Sequence, residues 1–317
     1  MINKRRLGRT GLQVAELGFG AWAIGGTSYG EVKEQDAVST VEAYLESGGN
    51  LIDTARGYGL SEKWIGKALE GRNREEVVLI TKSGNSETAE RIPRMWQDLE
   101  TSLTELKTGY VDVLMMHLPS EDPAVMELAI GEMKKMKKQG LIRHIGASIK
   151  GPAVTDETVA MCRQYIAQGE VDVFETVYSV LRQKLDYDGI FETCHQAGVG
   201  LVIRTVLESG FLTGKYAVGH RFASTDHRNR WSEKALDTIL QSVSDLREWI
   251  PEGTPDLSAF SIQFVLANPH LSTVIVGARN PGQLFDNLRA ASLPPLPKPL
   301  LARLKQFGYH KTELYNL

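Results

Sequence analysis

Cysteine is nearly missing from this chain: Cys162 and Cys194 are the two that its 317 residues contain. Each falls in a helix-like segment with no ligand-type spacing to the other. That argues against a disulfide framework or a zinc site, and makes a reducing, cytoplasmic setting the default. No run of about 18 apolar residues occurs, which argues against a membrane-spanning helix. The basic opening segment MINKRRLGRTGLQ lacks the apolar stretch that a signal peptide needs. Positive charge is not in excess either. The formal net charge is −3, so there is no electrostatic case for nucleic acid or an anionic membrane as a partner. Low-complexity tracts and interdomain linkers are also lacking, so a single domain over residues 1–317 is expected. Nothing in the pattern sets an oligomeric state.

What the chain does have is a rhythm of short apolar segments alternating with amphipathic ones. With 42% hydrophobic residues, it can bury a large core. Strands are expected at 16–21, 50–54, 77–82, 111–117, 142–148, 171–178, 200–204 and 273–277. Most are continuously apolar, as in strands covered on both faces. Helical stripes lie between them: Ala37, Val38, Val41, Tyr44 and Leu45; Ile92, Trp96, Leu99, Leu103 and Leu106; Met126, Ala129, Ile130, Met133 and Met136. The methionines read as core, the Lys134–Lys138 run as a solvated helix face, and Gly140 as the helix stop. Eight βα units in one chain of this length predict an α/β fold closed as a (β/α)8 TIM barrel rather than an open sheet. The residues around GRTG, before the first strand, predict a β-hairpin across the barrel bottom. After the seventh strand, the segment 209–254 is longer than a βα loop plus helix, and HRFASTDHRNRW (220–231) reads as an irregular loop.

Such a barrel places its chemistry at the C-terminal strand ends. The stretch NLIDTARGYGLSE ends an apolar run on Asp53 and follows it with Tyr58 between Gly57 and Gly59. The next strand, VVLITK, ends at Lys82, and the one after, VDVLMMH, at His117. Taken singly, Asp53 reads equally as a helix cap, Tyr58 as a packed loop aromatic, Lys82 as a solvated strand end and His117 as a satisfied core histidine. Together they put an acid, a phenol, an ammonium and an imidazole at one end of three consecutive strands. A nearby ammonium lowers a phenol's pKa by favouring phenolate, and a histidine can donate to a carbonyl oxygen.

At these residues the chain resembles the aldo-keto reductases. NLIDTARGYGLSEKWIGKAL, VVLITKSG, SLTELKTGYVDVLMMHLPS, GLIRHIGAS, LESGFLTGKY and VIVGARNPGQLFDNL occur in that family's order, over nearly the whole chain. The resemblance implies an NADPH-dependent oxidoreductase that reduces a small aldehyde or ketone, a sugar or ketose included, or runs in reverse. It makes Tyr58 the proton donor, Lys82 the charge that brings the phenol down from its usual value near 10, Asp53 the partner that keeps Lys82 ionised, and His117 the group that orients the carbonyl. No metal is implied.

The hydride donor needs a groove. Asn280 is a candidate N-cap and Pro281 suits the first helical position, so VGARNPGQLFDN opens a helix whose free N–H groups attract anions. Arg279 beside it offers a planar fork for phosphate. By the resemblance this is the 2′-phosphate end of NADPH, reached through Gly277, with Gln283 and Asn287 near the adenine. That favours NADPH over NADH, though the family often has a basic residue at the Gln283 position. Ser209, Gly210, Leu212 and Lys215 carry over as the segment around the pyrophosphate. The nicotinamide end departs from the family: Ser148 is followed by Ile149 rather than Asn, Glu175 stands where a Gln is usual, and Arg204 where an aromatic is usual. Glu175 and Arg204 are expected to pair.

GFGAWA (18–23) fits a dinucleotide fingerprint literally, but IGGTSYGE follows it where a helix would have to begin. It reads better as the first strand reaching the barrel mouth, with Trp22 either on the substrate pocket or as a packed rim residue. Arg221, Arg228 and Arg230 make the loop after the seventh strand basic, for an acidic substrate, for closure over the cofactor, or merely for solvent. Two other functions stay open: a nucleotide-binding regulatory subunit with slow turnover, and a barrel aldolase or isomerase using Lys82 as a Schiff-base amine.

Overall fold

Side chains along a strand alternate between its two faces, and that period of two organises the molecule. The computed structural model describes residues 2–26, 30–149, 154–224 and 226–309. They form a hairpin, β1 (Lys4–Arg6) and β2 (Gln13–Ala15), and a closed parallel barrel. The barrel strands are β3 (Leu17–Gly20), β4 (Leu51–Asp53), β5 (Val78–Ser83), β6 (Val111–Met116), β7 (Ile142–Ser148), β8 (Val173–Val177), β9 (Gly200–Arg204) and β10 (Thr273–Val276). They pair in chain order, and β10 closes the ring on β3 with Val274 opposite Leu17. Each falls on one of the eight expected segments, with β5 running one residue past its expected end.

Two hydrophobic clusters follow from the alternation. Leu51, Val78, Ile80, Val113, Met115, Val173, Val202 and Ile275 pack together inside the barrel. Their sequence neighbours Ile52, Leu79, Leu114, Phe174, Leu201, Ile203, Val274 and Val276 belong to the larger core outside it. Parity then carries the inward face upward: Leu51 leads to Asp53, Ile80 to Lys82, Met115 to His117, Val173 to Glu175 and Val202 to Arg204. Five ionisable groups thus succeed one apolar layer, all at the C-terminal ends.

The hairpin closes the other end. Leu7 and Val14 are fully buried in the inner cluster. Gly8 has φ +51° and sits so close to β9 that a Cβ on it would fall 2.2 Å from the Gly200 nitrogen. The Arg9 amide donates to the Gly198 carbonyl (2.6 Å), and its guanidinium bonds Asp172 (3.0 Å).

Around the barrel lie α1 (Glu34–Glu46), α2 (Ser61–Ala68), α3 (Met95–Glu105), α4 (Pro123–Lys138), α5 (Asp156–Gln168), α6 (Lys184–Tyr187), α7 (Ile190–Gln196), α8 (Glu233–Leu246), α9 (Leu257–Leu266), α10 (Pro281–Ala291) and α11 (Lys298–Tyr309). The α4 sequence shows why such segments are helical. Asp122 caps its start by accepting from the Ala124 amide (2.9 Å), and Pro123 begins it. Met126, Ala129, Ile130, Met133 and Met136 are all buried, the lysines between them are exposed, and Gly140 at φ +76° turns the chain away. Residues 21–24 after β3 form a single 3-10 turn rather than an α-helix, and residues 27–29 of the following glycine-rich stretch lie outside the described residues. No helix among the described residues is long and apolar enough to cross a membrane.

Leu7→Ala is expected to lower stability by about 2–5 kcal/mol, because it opens a cavity among inner-cluster side chains that are locked in register. Leu12→Ala, at a partly buried position beside the same cluster, should cost less. Urea unfolding of both variants checks this, and equal midpoints would mean that the hairpin does not plug the barrel.

Candidate active site

Lys82 is the most buried cation of the cleft floor, with a side chain that is 0% exposed. Its ammonium donates to both Asp53 oxygens (2.6 and 2.7 Å) and to the Thr54 carbonyl (3.0 Å). A fourth oxygen, Glu175 Oε2, lies 3.0 Å away. Glu175 Oε1 in turn accepts from Ser148 Oγ (3.2 Å) and lies 3.2 Å from Arg204 Nε. Arg204 is held further by the Ile149 carbonyl (2.9 Å) and Thr205 Oγ1 (3.2 Å). The expected Glu175–Arg204 pair is therefore present. The contact of Glu175 with Lys82 was not anticipated, although strand parity in the sequence would have put both side chains inside the barrel.

Tyr58 stands over this network. Its ring centroid is 5.0 Å from Lys82 Nζ and 5.6 Å from the His117 ring, which meets it edge-on. Two neighbours fix its backbone. Gly59 takes φ +58°, and Gly25 packs so tightly that a Cβ there would lie 2.0 Å from the Tyr58 carbonyl oxygen. Trp22 lies 6.2 Å from the Tyr58 ring and 5.1 Å from that of His227, on the cleft wall.

The electrostatics differ in one respect from what the resemblance implies. Lys82 does pull the Tyr58 ionisation down, but burial outweighs it, Glu175 and Asp53 add to the rise, and the phenol is pushed up to about 12. It is a protonated donor across the neutral range. Burial works against the Lys82 ammonium, yet the facing carboxylates hold it above its ordinary value, so it stays charged. Burial also works to raise Glu175, but Lys82 and Arg204 bring it below the usual carboxylate range. Asp53 is raised, by burial first and by the charge of Glu175 second. Burial, then Lys82, lowers His117 to about 4, leaving a neutral imidazole that can donate one N–H.

Trp22, Asp53, Tyr58, His117, Glu175 and Arg204 line a cleft of about 850 Å³, with Lys82 buried behind them. Gly277, Arg279, Gln283 and Asn287 line it too, and Ser209, Gly210 and Lys215 lie along it. The α10 cap is as expected: Asn280 Oδ1 accepts from the Gln283 amide (2.9 Å). Gln283 Oε1 accepts from the Arg279 amide (3.0 Å), and Arg279 Nη2 donates to the Glu31 carbonyl (2.9 Å), which fixes the guanidinium beside the helix start. Leu212 does not line the cleft: its side chain is fully buried and its amide donates to the Leu207 carbonyl (3.1 Å). It packs the loop from beneath instead.

That loop is strained. Thr205, Glu208 and Ser209 all have positive φ (63°, 49° and 54°), a conformation that persists only where surroundings impose it. A buried pair imposes it here: Arg182 grips Glu208 through Nε (2.9 Å) and Nη2 (2.6 Å), and Ser179 donates to the same carboxylate. The basic loop divides. Arg221 turns to Asp237 (2.8 Å) on the surface, and Arg230 stacks on Trp231. Arg228 folds onto the cleft, where it reaches Tyr216 Oη (2.9 Å) and the Ser209 carbonyl (3.3 Å). The sequence signal for Arg228 was only its place in a long loop. Among the described residues, no group of three or more His, Cys, Asp or Glu is placed to hold a metal ion.

Comparison with known proteins agrees with this picture. Residues 16–308 match a family model described as the Aldo/keto reductase family. An NADH-specific methylglyoxal reductase of Escherichia coli is 26% identical over 92% of this chain and 94% of its own. An L-galactose dehydrogenase of Arabidopsis thaliana is 31% identical over 92% and 88%. Among solved structures, the holo form of aldo-keto reductase AKR11C1 from Bacillus halodurans superposes with a TM-score of 0.77 at 26% identity, covering 97% of this chain and 96% of that one.

The Gly25 contact generates a prediction. Gly25→Ala should push the Tyr58 loop out of place and shift the NMR resonances of the Tyr58 and His117 rings. Gly57→Ala, where a Cβ meets open space, should leave both nearly where they are. Similar spectra for the two variants would show that Gly25 does not position the phenol.

Proposed function

Since the chain belongs to the aldo/keto reductase family and is an oxidoreductase, we propose that it uses NADPH to reduce a small aldehyde or ketone, with a sugar or ketose in range, or oxidises the corresponding alcohol. The observation that carries this reading is the convergence of Tyr58, Asp53 and His117, with Lys82 buried against them, on a cleft that Arg279 and the start of α10 also line. The whole chain acts as one unit in this reading.

The residues present fit a nicotinamide dinucleotide. Lys215 brings positive charge to the cleft, which suits a pyrophosphate, and Arg228, paired with Asp226 (2.7 Å), lines it as well. Arg279 stands at a capped helix N-terminus, suited to an extra phosphate. Ser148, Glu175 and Arg204 form the nicotinamide end, and Arg204 offers a flat guanidinium face to the ring. Bound there, the reduced cofactor supplies the hydride for the carbonyl carbon.

The chain's own groups do the rest. His117, neutral, donates to the carbonyl oxygen and aims it at Tyr58. Tyr58 gives its proton to that oxygen as negative charge develops, and the Lys82 ammonium stabilises the phenolate left behind. Asp53 keeps Lys82 charged and fixed. Trp22 forms an apolar wall for the substrate.

Two measurements test the reading. Tyr58→Phe should cut turnover on the best substrate of a carbonyl panel by about 10²-fold or more, while the dissociation constant from nicotinamide-fluorescence titration stays within about twofold. A mutant rate near wild type would remove Tyr58 as the acid. Arg279→Ala should weaken NADPH binding about tenfold, as expected for one lost charge-assisted contact, and leave NADH almost unchanged. Equal losses for the two cofactors would show that Arg279 does not read the 2′-phosphate.

A further inference from the structure

Asp53 alone would satisfy the charge of Lys82, yet a second carboxylate lies within ion-pair distance of the same ammonium. Glu175 comes from β8, across the barrel from β5, and a cation faces each of its oxygens at ion-pair distance: Oε2 is 3.0 Å from Lys82 Nζ, and Oε1 is 3.2 Å from Arg204 Nε. Its side chain is 1% exposed. Burying a carboxylate is costly unless paired charges compensate for it, and a cation stands at each end of this one. The floor of the cleft thus holds two carboxylates, Asp53 and Glu175, against two cations, Lys82 and Arg204.

We propose that Glu175 is a positioning residue for the reaction: its carboxylate bridges the Lys82 ammonium to the Arg204 guanidinium and so sets the charge against which Tyr58 releases its proton. The inference rests on the proposed reductase function and extends it to a residue that touches the lysine rather than the substrate carbonyl. An ammonium has three protons to donate. Both Asp53 oxygens and the Thr54 carbonyl accept from Lys82, and Glu175 Oε2 adds a charge contact at 3.0 Å without a hydrogen bond, so the lysine acts on the phenol through its charge, at 5.0 Å from the ring. Every carboxylate added beside Lys82 weakens that action, and Arg204 restores part of it. The charged groups acting on Tyr58 are Lys82 from β5, Asp53 from β4, Glu175 from β8 and Arg204 from β9, with the neutral His117 packed against it from the end of β6. Glu175 and Asp53 raise its pKa, and Lys82 and Arg204 lower it. The same opposition acts on His117, where Glu175 works upward and Lys82 and Arg204 downward.

Opposite charges must therefore produce opposite displacements, which a purely structural role would not. Reduction needs the protonated phenol, so its rate falls as pH rises through the Tyr58 ionisation. In Glu175→Gln the phenol loses an influence that raised it, and the alkaline limb of kcat/KM should move to lower pH by about one unit. Glu175→Asp, which keeps the charge, should return the limb toward its wild-type position. In Arg204→Leu, His117 loses an influence that lowered it, and the midpoint of its imidazole, followed by NMR in the protein without cofactor, should rise from about 4 by a comparable amount. An alkaline limb that stays in place in Glu175→Gln, or a His117 midpoint unmoved in Arg204→Leu, overturns the proposal. The NMR arm needs no turnover. Absence of turnover with every carbonyl in wild type would therefore sink the proposed function, while a shifted His117 midpoint would still support the charge bridge.

Discussion

The buried ammonium of Lys82 is the constraint on which the upper half of the barrel depends. Taking an unpaired ammonium out of water costs several kcal/mol, so Lys82 can occupy the barrel interior only where carboxylates meet it. Asp53 does so from β4 at 2.6 Å and Glu175 from β8 at 3.0 Å. Both arrive there because their strands hold a fixed register, with Asp53 opposite Ile80 and Glu175 opposite Val202. A slip of one residue in either strand would turn its acid outward and leave the lysine without that partner. The ion pairs and the register therefore support one another, and the apolar layer beneath them keeps water from below.

The rest of the cleft is built outward from that floor. Tyr58 is placed by a turn that needs Gly59 at positive φ and the missing side chain of Gly25. His117 is the residue immediately after β6, and its amide donates to the Ser83 carbonyl (2.9 Å), so its ring follows directly from the sheet. The far wall is less direct. The loop after β9 adopts a strained backbone at three non-glycine residues, and the Arg182–Glu208 pair, buried beneath it, holds that shape. Stable packing at the floor and imposed strain at the wall divide the work: one fixes the ionisable groups, the other shapes the loop along the cleft.

Most of the architecture was legible in the sequence because its causes are local. Continuous apolar runs mark strands covered on both faces, the methionine stripe and Gly140 mark α4, and the N-cap Asn280 with Pro281 marks α10. Asp53, Lys82 and His117 were legible for the same reason: a polar residue ending an apolar run points to the barrel mouth. The Glu175–Arg204 pair could be anticipated from two misplaced charges. What was not legible was the sign of the net effect on Tyr58. The attraction of Lys82 is visible in the sequence, but the degree of burial that outweighs it is a property of the assembled cleft.

By itself, the sequence determined the strand and helix order, the barrel's polarity and which ionisable residues stand at its mouth, since these follow from side-chain period, capping residues and apolar run length. The tertiary structure alone decided that Glu175 shares Lys82 with Asp53, that Leu212 packs beneath its loop while Arg228 enters the cleft, and that burial holds the Tyr58 phenol above its ordinary value rather than below it. Those outcomes depend on distances between groups far apart in the chain and on how much water reaches them, and neither quantity exists until the barrel has closed.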